Sequence, residues 1–168
     1  LKSDQKMFRL LQGDVGSGKT IVALSAILSV IKSKFQVAFM APTEILAKQH
    51  YNLAKKLFSK NIKIEILTSK TENKIRKRII NDLQNHSIDL LIGTHSLFQD
   101  KIEYKRLGLI IIDEQHKFGV KQRKKLSDKG GKNCDILVMS ATPIPRTMIM
   151  TIFGDMDVSI IKSKPKNR

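Results

Sequence analysis

The chain has 168 residues, with 31 Lys and Arg against 15 Asp and Glu, giving a formal net charge of +16. At 41% hydrophobic and 27% charged residues, its make-up is that of one ordinary globular domain with enough apolar matter for a core. No apolar run approaches the roughly 20 residues of a membrane span, no signal-peptide pattern opens the chain, and the single Cys134 excludes an internal disulfide or a cysteine-based zinc site. A reducing, cytoplasmic setting follows, with Cys134 as a buried bystander at a strand entrance. The charge points to a polyanionic partner, although a lysine-rich solvated surface accounts for it equally well. Leu1-Lys2-Ser3-Asp4 reads as a cut through a longer polypeptide. Residues 1–161 are expected to form the domain, and Lys162 to Arg168, polar and broken by proline, the start of a linker.

Short β-rich apolar runs alternate with helical patterns along the whole chain. The runs are Phe8 to Leu11, Val37 to Met40, Ile64 to Leu67, Leu90 to Ile92, Leu109 to Ile112 and Ile136 to Met139, and a weaker one, Val158 to Ile161, suits a sheet edge. Several are apolar on consecutive residues, as strands covered on both faces must be. Between them, Thr20 to Ile31, Glu44 to Phe58 and Glu72 to Leu83 repeat apolar residues at helical spacing. The alternation predicts an α/β domain with a mostly parallel sheet of about seven strands, helices on both faces, and ligand sites at the C-terminal strand ends.

Gly13-Asp14-Val15-Gly16-Ser17-Gly18-Lys19-Thr20 matches G-x-x-x-x-G-K-[ST] and lies between the first strand and the first helix, the context that motif requires. Its glycines let the backbone wrap around phosphate with N–H groups turned inward, and the helix adds its positive dipole end. Lys19 can then reach the β- and γ-phosphates, and the Thr20 hydroxyl can ligate Mg²⁺. Residues 13–20 are therefore the expected nucleotide-binding loop.

Leu109-Ile110-Ile111-Ile112-Asp113-Glu114-Gln115-His116 is an apolar strand ending in two carboxylates. Beside a phosphate loop, Asp113 can hold Mg²⁺, directly or through water, while Glu114 orients and deprotonates the attacking water. Two adjacent acids suit hydrolysis better than a kinase, which must keep water away. Gln115 and His116 are less determined by chemistry; His116 can carry a proton, ligate a metal or relay a hydrogen bond, and a relay from the γ-phosphate is preferred, since no other His or Cys lies at ligand spacing. The next strand runs into Ser140-Ala141-Thr142-Pro143, small hydroxyls placed to sense phosphate.

Together these segments resemble superfamily 2 helicases: GDVGSGKT, APTEILAKQH, GTHSLFQ, DEQH and SATP stand in that family's order and span essentially the whole chain. The longer strings Leu11 to Thr20, Asp113 to Val120 and Ser140 to Thr147, with Gly154-Asp155-Met156-Asp157, are most similar to the RecG-type branched-DNA helicases. The alternative is the Mfd transcription-repair translocase, which shares the Pro-Arg-Thr extension but usually has Glu at the position of Gln115. The resemblance implies a RecA-like ATP-binding lobe of a DNA motor that uses ATP and Mg²⁺. It implies that the Ile136 to Met139 strand lies between the phosphate-loop strand and the acidic strand. In that setting Ser140, Thr142 and Arg146 couple the site to the rest of the motor.

Carried over by motif, Pro42, Thr43 and Glu44, with Gly93, Thr94 and His95, contact the nucleic-acid backbone; simple helix capping by Thr43 and Thr94 is the competing account. The resemblance also implies partners beyond these residues: branched or duplex DNA, a second RecA-like lobe with an arginine finger, an upstream wedge domain and an adenine-contacting segment. It further implies a monomer without membrane contact, associated with the nucleoid, in which this lobe alone binds nucleotide with little turnover. One departure is Ser69, where the family more often has Gly, so any DNA contact of that turn is open.

Overall fold

Among the residues that the computed structural model describes (6–99, 101–113, 134–142 and 156–162), every apolar run becomes a strand of one sheet. The strands are β1 (Phe8–Gly13), β2 (Gln36–Met40), β3 (Ile64–Leu67), β4 (Leu90–Gly93), β5 (Leu107–Ile112), β6 (Asp135–Ser140) and β7 (Asp157–Ile161). The helices are α1 (Lys19–Lys32), α2 (Glu44–Leu57) and α3 (Asn73–Gln84), with a short 3-10 turn at His95–Phe98. Glu114, Gln115, His116, Arg146 and residues 163–168, expected to open a linker, lie outside the described residues.

All strand pairings are parallel, in the order β3-β4-β2-β5-β6-β1-β7. Side-chain alternation along each strand sorts the core into two layers. Val37 and Phe39 of β2, with Leu109 and Ile111 of β5, pack against Ala23, Leu24 and Ile27 of α1 and Ala47 and Ala54 of α2. Ala38 and Met40, with Ile110 and Ile112, face the opposite way onto Ile79 and Leu83 of α3 and onto Leu97. Each fully buried Leu or Ile contributes about 1.5–3 kcal/mol of transfer free energy, so both sheet faces need their helices. Gln36, wholly buried at the start of β2, stitches this architecture with polar bonds. Its amide donates to the carbonyls of Leu83 and Ile88 at 3.0 and 2.9 Å and accepts from the Arg106 N–H at 3.0 Å.

The crossover from β1 through α1 to β2 leaves a gap that the chain fills later with β5 and β6. The Ile136 to Met139 strand thus does lie between the phosphate-loop strand and the acidic strand. Three functional turns consequently leave neighbouring strand ends, and with about 4.8 Å between strands the ends of β1 and β5 stand roughly 10 Å apart. Cys134 is buried at the entrance to β6, and that burial pushes its thiol up to about 12, which makes it inert. Among the described residues no helix is long and apolar enough to cross a membrane.

Candidate functional site

The phosphate loop takes its shape from three glycines. Gly16 and Gly18 have φ of 81° and 97°, values that L side chains rarely adopt. At Gly13 the reason is space: a Cβ there would sit 2.5 Å from Ser17 Oγ and 3.1 Å from Cβ of Ile161. Gly18 also caps α1 and offers no side chain to its first turn, so the helix's orphan N–H groups remain for an anion. Lys19 folds back over the loop, its Nζ donating to the carbonyls of Gly13 at 2.5 Å and Asp14 at 2.9 Å; an ammonium has a third donor for a phosphate oxygen.

Register fixes the neighbours of this loop. Gln12 pairs with Ser140 and Leu11 with Met139, so the end of β6 abuts the start of the loop. Ser140 is fully buried; its hydroxyl lies 2.9 Å from the Thr142 carbonyl and 3.2 Å from the Thr142 hydroxyl, and it accepts the Thr142 N–H at 3.3 Å. On the far side of β6, Asp113 follows β5 directly, its N–H donating to the Met40 carbonyl at 2.9 Å. The structure thus brings residues 13–20, Ser140, Thr142 and Asp113 to adjacent strand ends.

The residues present fit a nucleotide with Mg²⁺. Inside the loop, Ser17 Oγ is buried without a hydrogen-bond partner among the described residues, a polar atom that a phosphate oxygen or ordered water would satisfy. Among the described residues no group of three or more His, Cys, Asp or Glu could by itself cage a metal. A donor set of one hydroxyl, Thr20, and one carboxylate, Asp113, instead suits Mg²⁺, which keeps its waters and shares phosphate oxygens.

The other strand ends form a groove. A cavity of about 590 Å³ is lined by Pro42, Thr43 and Glu44 after β2, Ser69 and Lys70 after β3, and Thr94 and His95 after β4. Gly93 supports rather than lines it: a Cβ there would lie 2.0 Å from the Leu67 carbonyl oxygen, so only glycine lets β4 turn so close to β3. The capping alternative divides the two threonines. Thr43 does cap α2, its hydroxyl oxygen accepting from Leu46 N–H at 3.2 Å, which leaves its O–H free to donate. Thr94 precedes the 3-10 turn and makes no side-chain cap bond.

Charge within the groove is arranged by cross-links. The Ser69 hydroxyl donates to Glu44 Oε1 at 2.8 Å, and Lys70 Nζ lies 3.4 Å from Glu44 Oε2. Ser69, with Lys70 beside it, pulls the Glu44 carboxyl below its ordinary value. The residue that departs from the family pattern therefore ties the β3 turn to α2. On the basic start of α3, Arg76 donates to the Thr68 carbonyl at 2.8 Å and to Gln99 Oε1 at 3.1 Å, and Arg78 pairs with Glu65 at 3.0 Å. Lys74 and Lys77 stay exposed.

A family profile described as DEAD/DEAH box helicase matches residues 2–151. The chain belongs to the DEAD/DEAH box helicase family. Within that family its similarity to RecG runs end to end. The ATP-dependent DNA helicase RecG of Streptococcus pneumoniae is 53% identical over 168 residues, covering 100% of this chain and 25% of the relative. RecG of Bacillus subtilis is 52% identical over 169 residues, again covering 100% of the chain and 25% of the relative. A solved structure of RecG bound to a three-way DNA junction superposes with a TM-score of 0.83 at 48% identity, covering 99% of this chain and 22% of that one. The chain therefore spans about a quarter of the length of the curated relatives it matches. The Mfd alternative finds no support among these DEAD/DEAH relatives.

One polar contact escaped the sequence reading. His50 of α2 lies 2.8 Å from Asp113. Helical spacing carried the signal, because Ala47, His50 and Ala54 share the buried face of α2, and a polar residue on such a face needs a partner.

Proposed function

We propose that this chain is the first motor lobe of a RecG-type DNA helicase that hydrolyses ATP to remodel branched DNA such as replication forks and recombination intermediates. The observation that carries the proposal is the sheet order, which sets the phosphate loop, Ser140 and Asp113 at consecutive strand ends. The groove at the other strand ends belongs to the same edge of the sheet.

In this reading the amides of residues 13–20 and Lys19 hold the triphosphate, while Thr20 and Asp113 hold Mg²⁺. The ion supplies neutralisation of charge on the β- and γ-oxygens. Glu114 orients and deprotonates the attacking water, Gln115 and His116 relay the state of the γ-phosphate, and Ser140, Thr142 and Arg146 pass it to the partner lobe and DNA. Pro42, Thr43, Glu44, Thr94 and His95 form the backbone-binding wall, with Gly93 setting the turn behind it, and hydroxyls and N–H groups there grip phosphate without reading bases. Lys70 offsets part of the repulsion between the Glu44 carboxylate and phosphate, while the Ser69 hydroxyl fixes how that carboxylate is turned. Few aromatics, 5% of residues with no Trp, fit backbone binding better than base stacking.

The chain's share of its relatives' length supports further domains in the complete enzyme, and the remaining assignments rest on the resemblance to RecG. A second RecA-like lobe supplies the arginine finger, an upstream wedge domain grips the junction, and the complete enzyme is a cytoplasmic, nucleoid-associated monomer. Alone, the lobe binds nucleotide with turnover lower by roughly 10³–10⁵, the effect of a missing finger. The test is remodelling of a synthetic three-way junction by the intact helicase in ATP and Mg²⁺, which Glu114→Gln should abolish. Junction remodelling by the Glu114→Gln protein at the wild-type rate would contradict the proposal.

A further inference from the structure

α2 contributes one buried polar side chain that none of these roles employs. His50 is 8% exposed, and its ring stacks on Phe39 of β2 with centroids 4.6 Å apart and planes inclined by 30°. Its Nε2 lies 2.8 Å from Oδ2 of Asp113, and the two side chains retain only 10% and 14% of their exposure. The Asp113 backbone is meanwhile fixed by its N–H bond to Met40, the residue after Phe39. The aspartate is thus pinned twice, through its main chain by β2 and through its carboxylate by α2.

We propose that His50 is a positioning residue for Asp113: its Nε2–H holds Oδ2 so that Oδ1 is the oxygen offered to Mg²⁺ beside the phosphate loop. The proposal rests on the reading of Asp113 as a cation ligand. Its physical basis is the softness of the aspartate's last torsion, which is broad and two-fold rather than locked in staggered wells. A donor on one oxygen removes that freedom, and Phe39 in turn holds the donor's ring plane. Residues that orient a metal ligand in this way typically change metal affinity or activity by about 10–100-fold when removed. An imidazole suits the place because it supplies an N–H from a flat ring that fits between α2 and β2. The bland alternative is a core histidine that satisfies its own hydrogen bond and does nothing for the cation.

The experiment uses the intact helicase and a fluorescent, non-hydrolysable ATP analogue, with binding followed as Mg²⁺ is titrated and again in EDTA. His50→Phe keeps the stack and deletes the N–H; His50→Gln restores an N–H at similar reach. The expected result is that His50→Phe raises the Mg²⁺ concentration for half-maximal tightening by about tenfold or more. Metal-free binding stays unchanged, His50→Gln recovers most of the loss, and His50→Phe adds nothing on an Asp113→Asn background. A wild-type Mg²⁺ dependence in His50→Phe would overturn the inference, as would equal losses with and without Mg²⁺, no recovery in His50→Gln, or additivity with Asp113→Asn. Lys19→Ala separates the two levels of the account. Normal analogue binding by Lys19→Ala overturns the functional reading itself, whereas weakened binding there with a silent His50→Phe overturns only the role of His50.

Discussion

The two halves of the sheet's functional edge are built by different means. At the ends of β1, β6 and β5 the shape comes from backbone: one contiguous loop of eight residues, two glycines at positive φ, and a serine hydroxyl buried without a partner. At the ends of β2, β3 and β4 the shape comes from side chains that lash three chain-distant turns together, Ser69 and Lys70 to Glu44, and Arg76 to Thr68 and Gln99. A contiguous loop is tolerant of its surroundings and intolerant of its own sequence. A lashed groove depends on many single bonds, each worth about 0.5–1.5 kcal/mol net, and on backbone spacing at the strand ends.

The contrast breaks most visibly at two glycines. Gly93→Ala drives a Cβ to 2.0 Å from the Leu67 carbonyl oxygen, backbone that cannot swing aside, and should cost about 3 kcal/mol or more of stability in denaturant unfolding. Gly13→Ala meets chiefly the Ser17 hydroxyl at 2.5 Å, a side chain that can rotate. It should cost under about 1.5 kcal/mol of stability while weakening nucleotide binding strongly. Equal stability losses in the two variants would erase the distinction.

The groove's threonines give a smaller, sharper effect. Thr43→Ala removes a cap and should lower stability by about 1 kcal/mol together with DNA affinity. Thr94→Ala should weaken DNA binding with stability nearly intact, because Thr94 makes no cap bond. Binding isotherms in a salt series would check that both act on a salt-dependent, sequence-tolerant interaction. Smallest of all, Lys34 ends α1 at φ 62°, with Lys34 N–H bonded to Ile31 and Phe35 N–H to Val30 in the pattern usually closed by glycine. Lys34→Gly should raise stability by up to about 1 kcal/mol, read as a shift in Tm; a drop would contradict that account of the helix end.

How far the sequence disclosed these two halves follows from their construction. The form of the glycine-rich loop was legible outright, since its residues are contiguous and β1 and α1 flank it as expected. The strands were legible because coverage on both faces demands apolar residues in succession; Ile64–Leu67 falls at the expected residues and Leu90–Gly93 differs by one. That Thr43 and Thr94 stand at turns after strands was legible, but nothing local says that Thr43, Ser69 and Thr94 converge across β2, β3 and β4. Pairwise bonds between distant elements stayed hidden. Ser69 stood out as a departure, yet its hydrogen bond to Glu44 needed the turn geometry. His50 closed a recognised string without a role of its own, and its bond to Asp113 joins α2, which carries the groove's Thr43 cap, to the nucleotide half.

The central claim is that these strand ends form one half of an ATP site in a DNA-driven motor. Its most direct test is the steady-state ATPase of the intact helicase with and without a three-way DNA junction, in wild type and Lys19→Ala. The account predicts DNA-stimulated hydrolysis in wild type and a fall of about 10²-fold or more in Lys19→Ala, the scale of losing one charge-stabilising donor. Undiminished DNA-stimulated turnover in Lys19→Ala would contradict it.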